Sequence, residues 1–346
     1  MESLMQCRNI VKIHRGRGVE GERHGFRAVD NVSIEIERGR IFGLVGESGC
    51  GKTTLARAIL YLDPPTSGSV LFDGVELGSL KPPMLRKYRK RMQIIFQDPH
   101  TALDPRMTVY DSLSEGLINI GVDKARRDKK IRELLDRVGI SSTYSRRFPH
   151  EFSTGQRQRI VIARALTMDP EFLILDEPVS NLDVSIQAQI INLLMDLKKD
   201  LNLTYLFISH DLNLVSYMCD VVAVMFGGRI VEQAPTEALL AHPGHPYTRR
   251  LLASIPGGTE ASGFAYSEES LYKQPDTEPD KEKEIFASSS ANLVASDACP
   301  YYPYCAQGDS ECKNSAPLLR ELSKGHVVSC YKNSAGQEPE GIERTT

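Results

Sequence analysis

An α/β fold around a mostly parallel core sheet is predicted by three features of this chain. Between about residues 30 and 235, short β-branched runs alternate with longer amphipathic segments, the rhythm of strands and helices stacked in layers. Three runs, at residues 41–45, 172–175 and 204–208, are short, largely apolar and followed by polar or glycine-rich clusters, as buried parallel strands are. After the first stands Gly46-Glu47-Ser48-Gly49-Cys50-Gly51-Lys52-Thr53, a glycine-rich turn leading into the helical stretch Thr54-Leu55-Ala56-Arg57-Ala58-Ile59-Leu60. In such folds ligands sit beyond the carboxyl ends of the strands.

With 346 residues and 41% hydrophobic content, the chain can bury a full core as one large domain or two ordinary ones. A net charge of −3 lacks the basic footprint of a nucleic-acid binder. The longest apolar runs, such as residues 221–226, fall far short of the ~20 residues of a membrane-spanning helix. Met1-Glu2-Ser3-Leu4-Met5-Gln6-Cys7 has neither the charged start nor the apolar stretch of a secretory signal, so a cytosolic location is expected, and disulfides are not. Between residues 120 and 147, Leu and Ile at helical spacing among Lys, Arg and Asp predict a helical insertion. Residues 257–292 turn to Ser, Glu, Lys, Asp and Pro and read as a flexible linker. It sets apart a cysteine-bearing tail too short to hold a core without a staple.

The turn at 46–53 fits G-x-x-x-x-G-K-[ST] between a strand and a helix, the context the phosphate-binding loop requires. Gly46, Gly49 and Gly51 let the backbone N–H groups from Glu47, Ser48 and Cys50 onward face phosphates, and the helix start at Thr54 adds its dipole. Lys52 should reach the β- and γ-phosphates and the Thr53 hydroxyl should bind Mg²⁺. The bland alternative is a glycine turn matching by chance, which the flanking strand and helix disfavour. Cys50 reads as a small loop residue.

At the end of the 172–175 run, Asp176 and Glu177 stand together. One carboxylate there could be a helix cap. Two suggest chemistry, with Asp176 holding magnesium through water and Glu177 orienting and deprotonating an attacking water. His210 closes the 204–208 run and could contact the γ-phosphate. Taken singly it would read as a turn histidine, but it follows a strand of the same presumed sheet.

Further motifs follow in order: Ile94-Ile95-Phe96-Gln97-Asp98-Pro99, Phe152-Ser153-Thr154-Gly155-Gln156 with Arg157-Gln158-Arg159, Ser180-Asn181-Leu182-Asp183, and His210. With them the chain resembles the ABC ATPases. The resemblance implies a P-loop NTPase of ABC type over residues 1–256, binding ATP and Mg²⁺. It adds an antiparallel β region and a helical signature subdomain at about 98–165. Gln97 would sense magnesium and the attacking water, and Asp183 would belong to the D-loop. Two such domains sandwich two ATP molecules, so that Ser153, Gly155 and Gln156 act on the partner's nucleotide. Thr154 departs from the family's Ser-Gly-Gly-Gln core, and a β-branched residue resists positive φ. A weakened composite site is therefore expected. The adenine-stacking aromatic is missing from its usual place, where His14 stands, with Phe26 as a second candidate.

Flanking stretches narrow the resemblance to the oligopeptide and dipeptide importer ATPases, particularly their F-type subunit. They are Met92-Gln93 before Ile94, Leu103-Asp104-Pro105-Arg106-Met107-Thr108, Phe148-Pro149-His150-Glu151-Phe152, and His245-Pro246-Tyr247-Thr248. This implies a heterodimer with a D-type ATPase beneath two membrane permease subunits, served by an external solute-binding protein. The site of action would be the cytoplasmic face of the membrane. Nickel and other small solutes are cargo alternatives. A soluble ABC ATPase acting on nucleic acid is disfavoured, because neither long coiled coils nor a second ATPase domain occurs. A kinase or GTPase would leave the signature and His210 unexplained.

Cys299, Cys305, Cys312 and Cys330 crowd into residues 293–346. Four thiolates suit an iron–sulfur cluster or structural zinc. No closely spaced pair of the zinc kind occurs, and the tail resembles the C-terminal region of the peptide-importer ATPases, some of which carry a [4Fe–4S] cluster. A cluster is therefore expected, with Zn²⁺ or four free thiols as alternatives.

Overall fold

The structure, a computed structural model, describes residues 2–15, 25–98, 102–254 and 298–333. Pro99 and the expected linker at 257–292 lie outside the described residues.

Two sheets form the frame. β1 (Ser3–Arg15), β2 (Gly25–Glu37), β4 (Ser67–Phe72) and β5 (Val75–Glu76) make an antiparallel sheet in the order β2-β1-β4-β5. Along β2, buried Val32, Ile34 and Ile36 alternate with exposed Asn31, Ser33 and Glu35, so one face meets the core and the other water. The larger sheet contains β3 (Ile41–Val45), β6 (Met92–Ile95), β7 (Phe172–Asp176), β8 (Thr204–Ser209), β9 (Val221–Phe226), β10 (Arg229–Pro235), β11 (Arg320–Ser323) and β12 (His326–Val328). Its order is β11-β12-β10-β9-β3-β8-β7-β6. The run from β9 to β6 is parallel, and β10, β12 and β11 at the other edge pair antiparallel.

The parallel strands are apolar on both sides because both sides are covered. Phe42, Leu44, Phe172, Ile174, Leu206 and Ile208 point into one core, shared with the antiparallel sheet and helix α1 (Lys52–Ile59). Ile41, Val45, Leu173, Leu175, Tyr205 and Phe207 point into the other. That core is closed by helices α3 (Val109–Asn119), α4 (Lys124–Arg137), α5 (Thr154–Leu166) and α6 (Val184–Leu201). α2 (Pro82–Arg91) runs outside the first core, α7 (Leu212–Met218) packs on β3 and β8, and α8 (Thr236–Ala241) flanks β9 and β10. The side chains of Thr108, Asp123, Ser153 and Asp183 accept first-turn N–H groups of α3, α4, α5 and α6, which is why those helices start where they do. Among the described residues no helix is long and apolar enough to cross a membrane.

The tail is not set apart from the body. β12 pairs with β10, Glu232 opposite Val328, and β11 extends the same sheet. Tyr301 and Tyr304 pack against Phe226 with ring centroids 5.3 and 6.2 Å away. The expectation of a segment needing its own staple is thus corrected for residues 298–333, which borrow the body's sheet and core. α9 (Pro246–Ala253) lies beside them, and α10 (Ser310–Asn314) is the tail's own short helix.

Candidate nucleotide site

Gly46 to Gly51 connect β3 to α1, and three neighbours shape this loop. Gly51, at φ 112°, caps α1 without a side-chain partner, and a Cβ there would run into the Ala28 carbonyl of β2. Gly228 N–H donates to the Cys50 carbonyl at 3.0 Å. Glu47 N–H donates to the Tyr247 hydroxyl, also at 3.0 Å. Lys52 Nζ curls back over the loop and donates to the carbonyls of Gly46 (2.6 Å) and Glu47 (2.9 Å), so its buried ammonium is already aimed into the concavity. No side chain caps α1 and no acidic residue occupies its first turn, leaving its positive end for an anion.

Asp176 and Thr53 meet across the gap between β7 and α1, where Thr53 Oγ1 donates to Asp176 Oδ1 at 3.3 Å. Burial pushes the Asp176 carboxyl above its ordinary range, and the neighbouring Glu177 adds to the effect. A hydroxyl and a strained carboxylate side by side suit Mg²⁺, whose charge would relieve the carboxylate. Glu177 adopts φ 49°, a left-handed conformation that costs a non-glycine residue of order 1 kcal/mol or more. It is pinned there by its own N–H donating to Ile208 O at 3.0 Å. Its Oε2 accepts from Gln97 Nε2 at 3.1 Å and lies 3.3 Å from His210 Nδ1. Gln97, Glu177 and His210, from the ends of three different strands, therefore converge on one carboxylate.

The signature residues form a second cluster. Ser153 Oγ accepts from Gln156 N–H (3.3 Å) and Gln156 Oε1 accepts from Ser153 N–H (3.0 Å), a reciprocal cap on α5. Thr154 occupies the first helical position and is not among the positive-φ residues, so the expected conflict between a β-branched side chain and the backbone does not arise. Gly155 is the sensitive position: a Cβ there would come within 2.6 Å of Ile186 Cγ2. Ile186 N–H in turn donates to the Asp183 cap at 3.0 Å, so signature and D-loop pack together. His14 and Phe26 are direct cross-strand partners on β1 and β2, which places the two stacking candidates side by side.

In the tail, Cys299, Cys312 and Cys330 are buried and Cys305 is half-buried. Burial pushes the Cys299 thiol up to about 12, and Cys299 N–H donates to the Cys312 carbonyl at 2.9 Å. A tetrahedral zinc would need sulfurs about 3.8 Å apart. Among the described residues no group of three or more His, Cys, Asp or Glu side chains is arranged to hold a metal ion. Neither the iron–sulfur expectation nor the zinc alternative gains support from the geometry.

Tyr247 is the site residue that sequence reasoning missed. Its His-Pro-Tyr-Thr stretch stands out as a family marker, yet nothing local in it discloses a contact with a loop two hundred positions earlier.

Comparisons with known proteins bear on the family and the fold. A family model described as ABC transporter matches residues 29–180, and one described as oligopeptide/dipeptide transporter, C-terminal region, matches residues 231–312. The oligopeptide transport ATP-binding protein AppF of Bacillus subtilis is 41% identical over 334 residues, 95% of this chain and 97% of the relative. OppF of the same organism, also an oligopeptide transport ATP-binding protein, is 51% identical over 237 residues, 68% and 78% of the two chains. Among solved structures, cbiO1 of Clostridium perfringens, part of an ABC transporter complex, superposes with a TM-score of 0.62 at 28% identity, covering 76% of this chain and 100% of its own. The dimeric cassette MJ0796 bound to ADP and Pi gives 0.60 at 26% identity, covering 67% and 99%. The chain belongs to the ATP-binding proteins of ABC transporters, in their oligopeptide/dipeptide transport branch.

Proposed function

We propose that this chain hydrolyses ATP to drive the import of oligopeptides or dipeptides through partner membrane subunits. The observation that carries the hydrolytic part is the convergence of Gln97 and His210 on Glu177 Oε2, beside the Thr53–Asp176 pair. Lys52 and the loop N–H groups bind and orient the triphosphate, and His14 or Phe26 stacks on adenine. Thr53 and Asp176, with Gln97, would hold Mg²⁺, which would supply positive charge against the triphosphate. Glu177 takes a proton from the attacking water, held in place by Gln97 and His210. Ser153, Gly155 and Gln156 serve the nucleotide of a second ATPase, and the dimeric form of MJ0796 supports that arrangement. A D-type chain is the proposed partner, giving a heterodimer rather than a homodimer.

Docking to the membrane subunits is supported by a cavity of about 460 Å³ between β6 and helices α3 and α5, lined by Phe96, Ala102, Ser112, Glu115 and Arg164. It adjoins Gln97, so motion of a seated helix would reach the water-positioning group. The chain then works at the cytoplasmic face of the membrane, with cargo chosen by an external binding protein and the permease. A [4Fe–4S] cluster on Cys299, Cys305, Cys312 and Cys330 belongs to the proposal on the chemistry of the donor set alone, four thiols in one short segment. Protein purified without oxygen and free of iron and sulfide removes it.

Purification of the chain with its partners tests the whole reading. Two membrane proteins and a second ATPase should co-purify, and short peptides presented with the binding protein should stimulate ATP turnover. Stimulation by nickel salts but not by peptides would overturn the cargo assignment.

A further inference from the structure

The phosphate loop is held partly from outside the nucleotide-binding motifs. Tyr247, on α9, is fully buried, and its hydroxyl accepts the Glu47 N–H at 3.0 Å. Glu47 is the second residue of the loop, so this bond fixes where the backbone leaves β3. The Tyr247 ring packs against Phe226 at 4.6 Å and against Tyr301 of the tail at 5.4 Å, and Tyr301 meets Phe226 edge-on at 5.3 Å. A second connection runs through Glu232, a fully buried carboxylate on β10. It accepts from Gly244 N–H (2.6 Å) and His245 N–H (2.8 Å) in the turn before α9, and pairs with His326 of β12 at 2.7 Å. His245 Nδ1 accepts the Tyr247 N–H at 3.1 Å. Aromatic packing and a buried carboxylate thus both lead from the tail to Tyr247, and from Tyr247 to the loop.

We propose that Tyr247 is a positioning residue for the phosphate loop and that residues 298–333 hold Tyr247 in place, so that the C-terminal segment sets the affinity for nucleotide. The inference rests on the ATP-binding reading above. Without the hydroxyl, Glu47 N–H loses its acceptor and the loop entrance must be ordered anew when nucleotide binds, which weakens binding. ATP and ADP share the phosphates that the loop cradles, so both weaken together. Glu177, which the hydroxyl does not touch, keeps its geometry.

The test uses the full-length chain for binding and the assembled complex for turnover. Tyr247→Phe keeps the ring and removes only the oxygen. Its Kd for ATP and for ADP should rise about two- to tenfold. In the complex, KM for ATP should rise in step while kcat stays within about twofold, a split that general loss of stability would not give. Tyr301→Leu should act in the same direction, and the double variant should be less impaired than independent effects predict, because both act on one contact. If Tyr301→Leu does not fold, His326→Gln cuts the other route and decides the tail's part. Unchanged ATP and ADP affinities in Tyr247→Phe overturn the positioning role, and independent effects of the paired changes overturn the part given to the tail. A wild-type chain that binds no ATP sinks the ATPase reading itself, a result distinct from either.

Discussion

Replacing Glu177 by Gln removes a proton acceptor while leaving almost everything else in place. The two side chains have the same shape, and the backbone at φ 49° strains both equally, so the fold should be retained. Oε2 of Glu177 faces Gln97 Nε2 at 3.1 Å and His210 Nδ1 at 3.3 Å. An amide can accept from one of them through its oxygen, but it turns its own N–H toward the other and cannot take a proton from water. Loss of a positioned general base costs about 10²–10⁴-fold in rate, equivalent to roughly 3–5 kcal/mol in the barrier. Lys52 and the loop bonds of Glu47 and Cys50 lie apart from this change, so the Kd for ATP should stay within about twofold. The assay is phosphate release by the assembled complex, run beside an ATP-binding titration of the same variant. Turnover within about tenfold of wild type, or loss of ATP binding together with hydrolysis, would refute the role given to Glu177.

Thr154→Gly should change turnover by less than about twofold and lower helix stability by up to about 1 kcal/mol, because Thr154 sits in ordinary helical backbone; a large gain in ATPase rate would restore the idea of a strained signature. Asp176→Asn should abolish magnesium-dependent hydrolysis yet raise the Tm of nucleotide-free protein at neutral pH. The Asp176 carboxyl is raised by burial, so its ionised form costs stability that is spared below the unfolded value of about 3.9 and lost as pH rises through the folded one. The Tm advantage of Asn should therefore shrink toward acid pH. Glu171 shows the opposite sign: hydrogen bonds from Arg91 first, then Arg38, hold it below its ordinary range. Its stabilisation should be present above about 4.3 and fade as pH falls below that, so Glu171→Gln should lower Tm at neutral pH and converge with wild type in acid.

Three of the five parallel strands and the phosphate loop were legible because their signals are local. Residues 41–45, 172–175 and 204–208 are apolar on both faces for the reason the structure gives, a core on each side of the sheet. The roles of Asp176, Glu177 and His210 were read from chemistry at strand ends, whereas Gln97 came only from the resemblance to the family motif. What stayed hidden depends on register or distance. That His14 and Phe26 face each other is set by β1–β2 pairing, which no spacing reveals. Thr154 invited a wrong inference because a glycine in a motif does not mean a positive φ; here the helix begins at that residue and any L residue fits. The tail's strands β11 and β12 are too short to announce themselves, and β10, the body strand that β12 pairs with, lies far back in the chain.

That late pairing has a consequence for biosynthesis. A nascent chain that has emerged through residue 254 holds every parallel strand, yet among the described residues the outer side of β10 has no strand partner until β12 arrives. Until then a hydrogen-bonding edge is bare and Glu232, fully buried in the finished molecule, has not met His326. Newly made protein should therefore pass through a stage prone to pairing with other chains, and a stop codon before residue 326 should prolong it.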